Sequence, residues 1–186
     1  MKQVTKDRWF VLYELMKNKN PKVGIEIGVQ KGLFTRNILS LLSSIETYYA
    51  IDPWLSYDDY VNYINNSKYY NQNRLDKFLN VFKEKTKKWK DKIKILRMLS
   101  SEAVNYIEDE SIDFCFIDGN HIYDYVMEDI KLYLPKMKKG GLIGGHDYEH
   151  GNDYGHSSWG VEEAVNDYFG EGNFFVKDDY TWWKWV

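Results

Sequence analysis

Apolar positions along the chain change period again and again, and the changes mark out its elements. Residues 5–18 carry Trp9, Val11, Leu12, Leu15 and Met16 at helical spacing, which predicts an opening helix stopped by Pro21. Residues 22–27 form a short β-rich run, followed by a glycine-containing turn and a helical stretch over 33–42. A second apolar run, 47–51, ends at Asp52-Pro53. Beyond it the chain is rich in Tyr, Asn and Asp, then helical from 73 to 89, with Leu75, Phe78, Leu79 and Phe82 on one face. Residues 93–98 read as a strand, and 100–107 as a short helix with a serine cap. The continuous apolar run 112–117 is the pattern of a strand buried on both faces. A helix is expected over 123–137, ended by Gly140-Gly141, with a new strand beginning at Leu142 and Ile143. The last elements are a helix over 160–169 and closing strands over 174–176 and 181–186.

Strands and helices thus alternate, which implies an α/β fold: a parallel sheet with helices on both faces. Ligands of such sheets sit beyond the carboxyl ends of the strands, where strand order reverses. No linker, repeat or low-complexity tract divides the 186 residues, so a single domain is expected. Within it, 1–20 form the opening helix, 22–146 the alternating core, 147–159 a polar loop, and 160–186 the closing elements.

Composition narrows the class. With 44% hydrophobic and 28% charged residues the chain reads as globular. A net charge of −3 argues against a nucleic-acid binder, which would show a basic face. The lysines between Lys83 and Lys94 read as a solvated helix surface. Cys115, the one cysteine, fits a reducing compartment and a buried inert thiol. No segment has the length of a membrane span or the apolar core of a signal peptide, so a cytoplasmic location is expected.

Four strand ends carry polar residues against these apolar runs. The first reads Glu26-Ile27-Gly28, with Gly32 four residues on; the glycines permit a tight turn against a ligand. It is not the dinucleotide fingerprint, which has a third glycine. The second is Asp52, placed about twenty residues on, where a carboxylate can accept both hydroxyls of an adenosine ribose. The third, Asp118-Gly119-Asn120-His121, and the fourth, His146-Asp147-Tyr148, put an aspartate after a buried strand with histidine close by. If those two strands are neighbours, the two carboxylates approach, and like charges that close favour a cation between them.

Together the segments VGIEIGVQKG, YYAIDPW, FCFIDGNHIYDYVMEDIKLYLPKMKKGGLIGGHDY and WGVEEAVNDYF resemble the class I S-adenosylmethionine-dependent methyltransferases. The nearest branch is the small-molecule O-methyltransferases that include sugar- and catechol-modifying enzymes. The resemblance implies a Rossmann-like fold: a mostly parallel seven-stranded sheet, helices on both faces, and a C-terminal antiparallel strand. It implies that Glu26, Gly28 and Gly32 hold the methionine portion of the cofactor, that Asp52 holds the ribose, and that Ser100 and Ser101, with Glu102 beside them, border the adenine. Asp118 completes an acidic lining suited to a sulfonium. In such relatives magnesium is bound after the fourth and fifth strands, which maps onto Asp118 and Asp147. His146 stands where they place an oxygen ligand, and imidazole suits manganese, iron or zinc better than magnesium.

The reaction so implied is displacement of the sulfonium methyl by an acceptor oxygen, with alignment as the protein's main contribution. The hydroxyl is activated either by a divalent metal on Asp118, His146 and Asp147 or by a histidine base, His121 before His146. Trp54, Tyr57 and the loop 148–158 are expected to form the acceptor pocket, while Trp182, Trp183 and Trp185 pack a closing strand or a dimer contact. The expected partner is a small-molecule acceptor, a saccharide first, with neither nucleic acid nor membrane, and a homodimer is admitted. Two rivals stand beside this: a nicotinamide-dependent oxidoreductase on a similar sheet, and a non-catalytic cofactor-binding module on the same fold.

Overall fold

The computed structural model describes residues 7–56, 71–148, 160–177 and 179–186. Its strands are β1 (Val23–Ile27), β2 (Thr47–Ile51), β3 (Ile93–Leu96), β4 (Ile112–Ile117), β5 (Met137–Gly145), β6 (Phe175–Val176) and β7 (Trp182–Trp185). The helices are α1 (Arg8–Met16), α2 (Leu33–Leu41), α3 (Gln72–Thr86), α4 (Ser100–Ala103), α5 (Tyr123–Tyr133) and α6 (Val161–Phe169). The seven strands form one sheet in the order β3-β2-β1-β4-β5-β7-β6. Strands β1 to β5 pair in parallel, and β7 runs antiparallel to both β5 and β6. The expected sheet is therefore present, antiparallel strand included.

The period-2 alternation of the central strands divides the core into two layers. Ile25, Ile27, Cys115, Ile117 and Ile143 face a layer that holds α4, α5 and α6 residues such as Ala103, Ile130 and Val165. Tyr48, Ala50, Phe114, Phe116 and Leu142 face the opposite layer, with Leu12 and Met16 of α1, Ile38 of α2 and Phe82 of α3. Cys115 is a buried free thiol, as its apolar run implies. Trp182 is fully buried in the first layer, and Trp183 stacks on Phe175 across the edge pair.

Three elements depart from expectation. The helix α5 stops at Tyr133 and tightens into a 3-10 turn, Leu134–Lys136, that contains Pro135. Gly140-Gly141 does not end that helix; it lies inside β5, which begins at Met137. There Ile112 pairs with Met137 but Phe114 pairs with Leu142, so the intervening residues bulge out of register. Gly140 adopts φ +80°, and a Cβ on Gly141 would come within 2.9 Å of the Lys138 carbonyl oxygen. The pair therefore serves a bulge. Nor is α4 capped by serine: Leu99 is its N-cap, and its N–H donates to Glu102 Oε2 at 3.3 Å.

Candidate active site

The strand order reverses between β1 and β4, and the carboxyl ends there enclose a crevice of about 470 Å³. That volume is in the range of small-molecule sites. Glu26, Asp52, Asp118 and Asp147 all line it, so carboxylates from four strand ends share one rim.

The β1 end is built around close backbone approach. Gly28 has φ +88°, and a Cβ there would fall 2.1 Å from the Asp118 carbonyl oxygen, so only glycine lets the loops after β1 and β4 touch. Gly32 precedes α2 with φ +69°, and its missing Cβ leaves room for the Phe82 ring. Just before this turn Glu26 is buried, and its Oε2 accepts from the Tyr48 hydroxyl at 2.8 Å and from the Thr35 hydroxyl. Burial pushes the Glu26 carboxyl up to about 8, and those two hydrogen bonds offset the effect only in part.

Asp52 stitches two loops together. Its Oδ2 accepts from Gln30 N at 2.8 Å and its Oδ1 from Trp54 N at 2.7 Å, while Trp54 Nε1 donates to the Gln30 carbonyl at 2.8 Å. Burial raises its pKa and the backbone N–H groups work against that. Trp54 is itself buried and stacked on Phe82 at the crevice wall. Tyr57 and residues 149–158 of the expected acceptor loop lie outside the described residues, as do His150 and His156.

At the β4 and β5 ends, Asp118 and Asp147 face one imidazole. His121 Nε2 lies 2.8 Å from Asp147 Oδ2 and 3.9 Å from Asp118 Oδ1. Burial pulls the His121 pKa down, but hydrogen bonds and charges from both aspartates outweigh it and hold the ring at about 9. It therefore carries a proton at neutral pH. For Asp147 burial acts upward, and the hydrogen bonds from His121 and His146 hold it well below the usual carboxylate range. A second cation arrives from α1, where Arg8 Nη2 lies 3.1 Å from Asp118 Oδ2. His121 thus stands near both aspartates, whereas Arg8 pairs with Asp118 alone.

A divalent metal can be tested against the donors present. One ligand atom each from Asp118, His121 and Asp147 lie within 4.8 Å of one another, a compact set of two carboxylates and one imidazole that fits such an ion. His146 is not in that set; its Nδ1 is 3.1 Å from Asp147 Oδ1 and 3.4 Å from Arg8 Nη1. Of the other residues read from the sequence, Gly28 and Ser100 line the crevice, whereas Gly32, Ser101 and His146 are not among its lining residues. Arg8 and Asp129 line it without having been read from the sequence. Nothing in the chain pattern marks Arg8, whereas Asp129 had an available signal: it is an acid on the apolar face of α5, with Val126, Ile130 and Tyr133.

Comparison with known proteins bears on the fold and the family. A crystal structure of an O-methyltransferase from Bacillus cereus in complex with SAH (S-adenosylhomocysteine) superposes with a TM-score of 0.64 at 15% identity, covering 97% of this chain and 80% of that one. An SAH-bound methyltransferase from Podospora anserina gives 0.63 at 14% identity, covering 100% and 80%. Among curated proteins, "Uncharacterized protein y4gI" of Sinorhizobium fredii is 36% identical over 56 residues, which is 30% of this chain and only 6% of that protein's length. The family model described as "Methyltransferase domain" matches residues 25–148, from β1 through the loop after β5. The chain belongs to the methyltransferase-domain family, and its sheet is that of the class I enzymes.

Proposed function

We propose that this protein transfers the methyl group of S-adenosylmethionine to a hydroxyl oxygen of a small molecule, a saccharide or another natural product being the first class to try. The observation that carries the reading is the convergence of Glu26, Asp52, Asp118 and Asp147 on one crevice at the strand-order reversal. The SAH carried by two structures of the same fold supports the choice of cofactor.

The cofactor brings an ammonium, a sulfonium and a ribose diol, and no phosphate. Glu26 meets the ammonium, whose positive charge favours the ionised carboxylate, Asp52 accepts from the ribose hydroxyls with lone pairs its backbone donors leave over, and Ser100 borders the base. Gly28 brings the backbone close to the methionine portion. Transfer forms the O–CH₃ bond as the S–CH₃ bond breaks; the sulfur keeps the bonding pair and the acceptor's proton must leave.

His121 is positioned for that proton, because it faces both aspartates at the crevice. Protonated at neutral pH, it becomes an acceptor only after losing the proton it already holds. A divalent ion held by Asp118, Asp147 and His121 would supply the alternative, lowering the pKa of an acceptor hydroxyl bound to it. Either way, Asp118 and Asp147 set the charge of the site.

Among the described residues no helix is long and apolar enough to cross a membrane. The reading keeps a cytoplasmic location, a small-molecule partner and a homodimer as proposals; light scattering tests the last. The direct test of the activity is transfer of an isotopically labelled methyl from S-adenosylmethionine to a panel of sugars, phenols and polyhydroxylated natural products, with magnesium, manganese or a chelator. Labelled product supports the reading. Tight cofactor binding with no transfer to any acceptor under any metal condition favours a non-catalytic module.

A further inference from the structure

Asp129 is buried, 3% exposed, in the middle of α5, yet it lines the crevice. Its Oδ1 has no hydrogen-bond partner among the described residues. A buried carboxyl oxygen without a donor is costly, and none of the described residues supplies one there. Burial lifts this carboxyl to about 7, which the neighbouring Ser100 side chain counters only in part.

Its surroundings say which end of the crevice it serves. Tyr125, Asp129 and Tyr133 recur at four-residue spacing along one face of α5. Tyr133 turns that face toward the β3 end, its hydroxyl donating to the Ser100 carbonyl at 2.8 Å. Ser100 follows β3 and Asp147 follows β5, with β2, β1 and β4 lying between those two strands. Asp129 and Ser100 are therefore at the end of the crevice away from the Asp118–His121–Asp147 cluster. With the ribose on Asp52 after β2, that end receives the base.

We propose that Asp129 reads the nucleobase of the cofactor, its free carboxylate oxygen accepting an N–H from the exocyclic amino group of adenine. This rests on the cofactor reading above and adds a specificity residue to it. A 6-oxo purine would present an oxygen to the same carboxylate, and two acceptors cannot share a hydrogen bond. The site should therefore discriminate adenosyl from inosyl ligands, and the discrimination should belong to this one side chain.

The test is calorimetry at pH 8, where the carboxyl is ionised, with SAH and S-inosylhomocysteine on wild type and Asp129→Asn. Wild type should favour the adenosyl compound by about tenfold or more, the worth of a charge-assisted hydrogen bond against an unpaired acceptor. Asp129→Asn keeps the shape, removes the charge and gains an N–H that can face a 6-oxo group, so the preference should shrink to within about threefold. An Asp129→Ala variant should lose about tenfold in SAH affinity with little change toward the inosyl compound. A purely structural Asp129 would change both affinities together and leave their ratio alone. Wild type binding both compounds alike, or Asp129→Asn keeping the wild-type ratio, overturns the inference. Wild type binding neither overturns the cofactor reading and this inference with it.

Discussion

Arg8 Nη2 lies 3.1 Å from Asp118 Oδ2, tying the first turn of α1 to the loop after β4. The guanidinium sits at the rim of the one described cluster that could hold a metal. It therefore competes with any divalent ion for Asp118. Arg8→Ala should strengthen manganese binding by about threefold to tenfold, since a unit charge at this distance in a partly wetted site is worth on the order of 1 kcal/mol. Calorimetry with manganese on both proteins measures it, and equal or weaker binding in the variant would show that Arg8 does not compete.

The buried carboxyl of Glu26 makes a pH prediction. Its folded pKa, about 8, lies above the ordinary 4.5. Between those values the folded chain holds a proton that the unfolded chain has released, so stability falls as pH rises through this window. Above about 8 the cost is fully present. Gln at this position can still accept from Thr35 and Tyr48 but never ionises. Glu26→Gln should therefore gain thermal stability relative to wild type progressively from pH 5 to pH 8.5. Melting curves across that range decide it; a difference that stays flat with pH would sink the assignment.

Gly28 makes a steric prediction. A side chain there meets backbone, not a flexible tip: the Asp118 carbonyl oxygen at 2.1 Å, at a φ of +88°. Gly28→Ala should destabilise by about 1–3 kcal/mol from conformation alone and abolish cofactor binding by forcing the two loops apart. Denaturant unfolding and SAH titration of the same variant check both halves.

His121 and Asp147 should separate chemistry from binding. Both lie across the sheet from the ribose and base positions, so His121→Ala and Asp147→Asn should lower the methyl-transfer rate by about a hundredfold or more. SAH affinity should stay within about threefold of wild type. A loss of affinity that matched the loss of rate would place these residues in the cofactor site instead.

Much of this architecture was legible in the chain. Apolar runs such as 112–117 announced parallel buried strands, and the acids directly after them were bound to meet once the strands were ordered. What the pattern could not give was contact across the sequence. Gly140-Gly141 has the look of a helix stop, and only the pairing of Phe114 with Leu142 shows that it serves a bulge. His146 and His121 both stand near an aspartate in sequence, yet loop geometry brings His121 into the Asp118–Asp147 cluster and leaves His146 beside Arg8. Arg8 is a surface-type residue at a helix start, and its reach to Asp118 depends on how α1 docks. Asp129 is the opposite case: an acid on an apolar helix face is a visible signal, but it lies within a helix and not at a strand end.

Every role assigned to the rim depends on a ligand lying across it with its ribose on Asp52. Calorimetric titration of SAH into wild type and Asp52→Ala measures this most directly. Micromolar-range binding by wild type, weakened by about tenfold or more in the variant, roughly 1.4 kcal/mol, is the predicted result. No binding by wild type, or equal affinity in the two proteins, would contradict it.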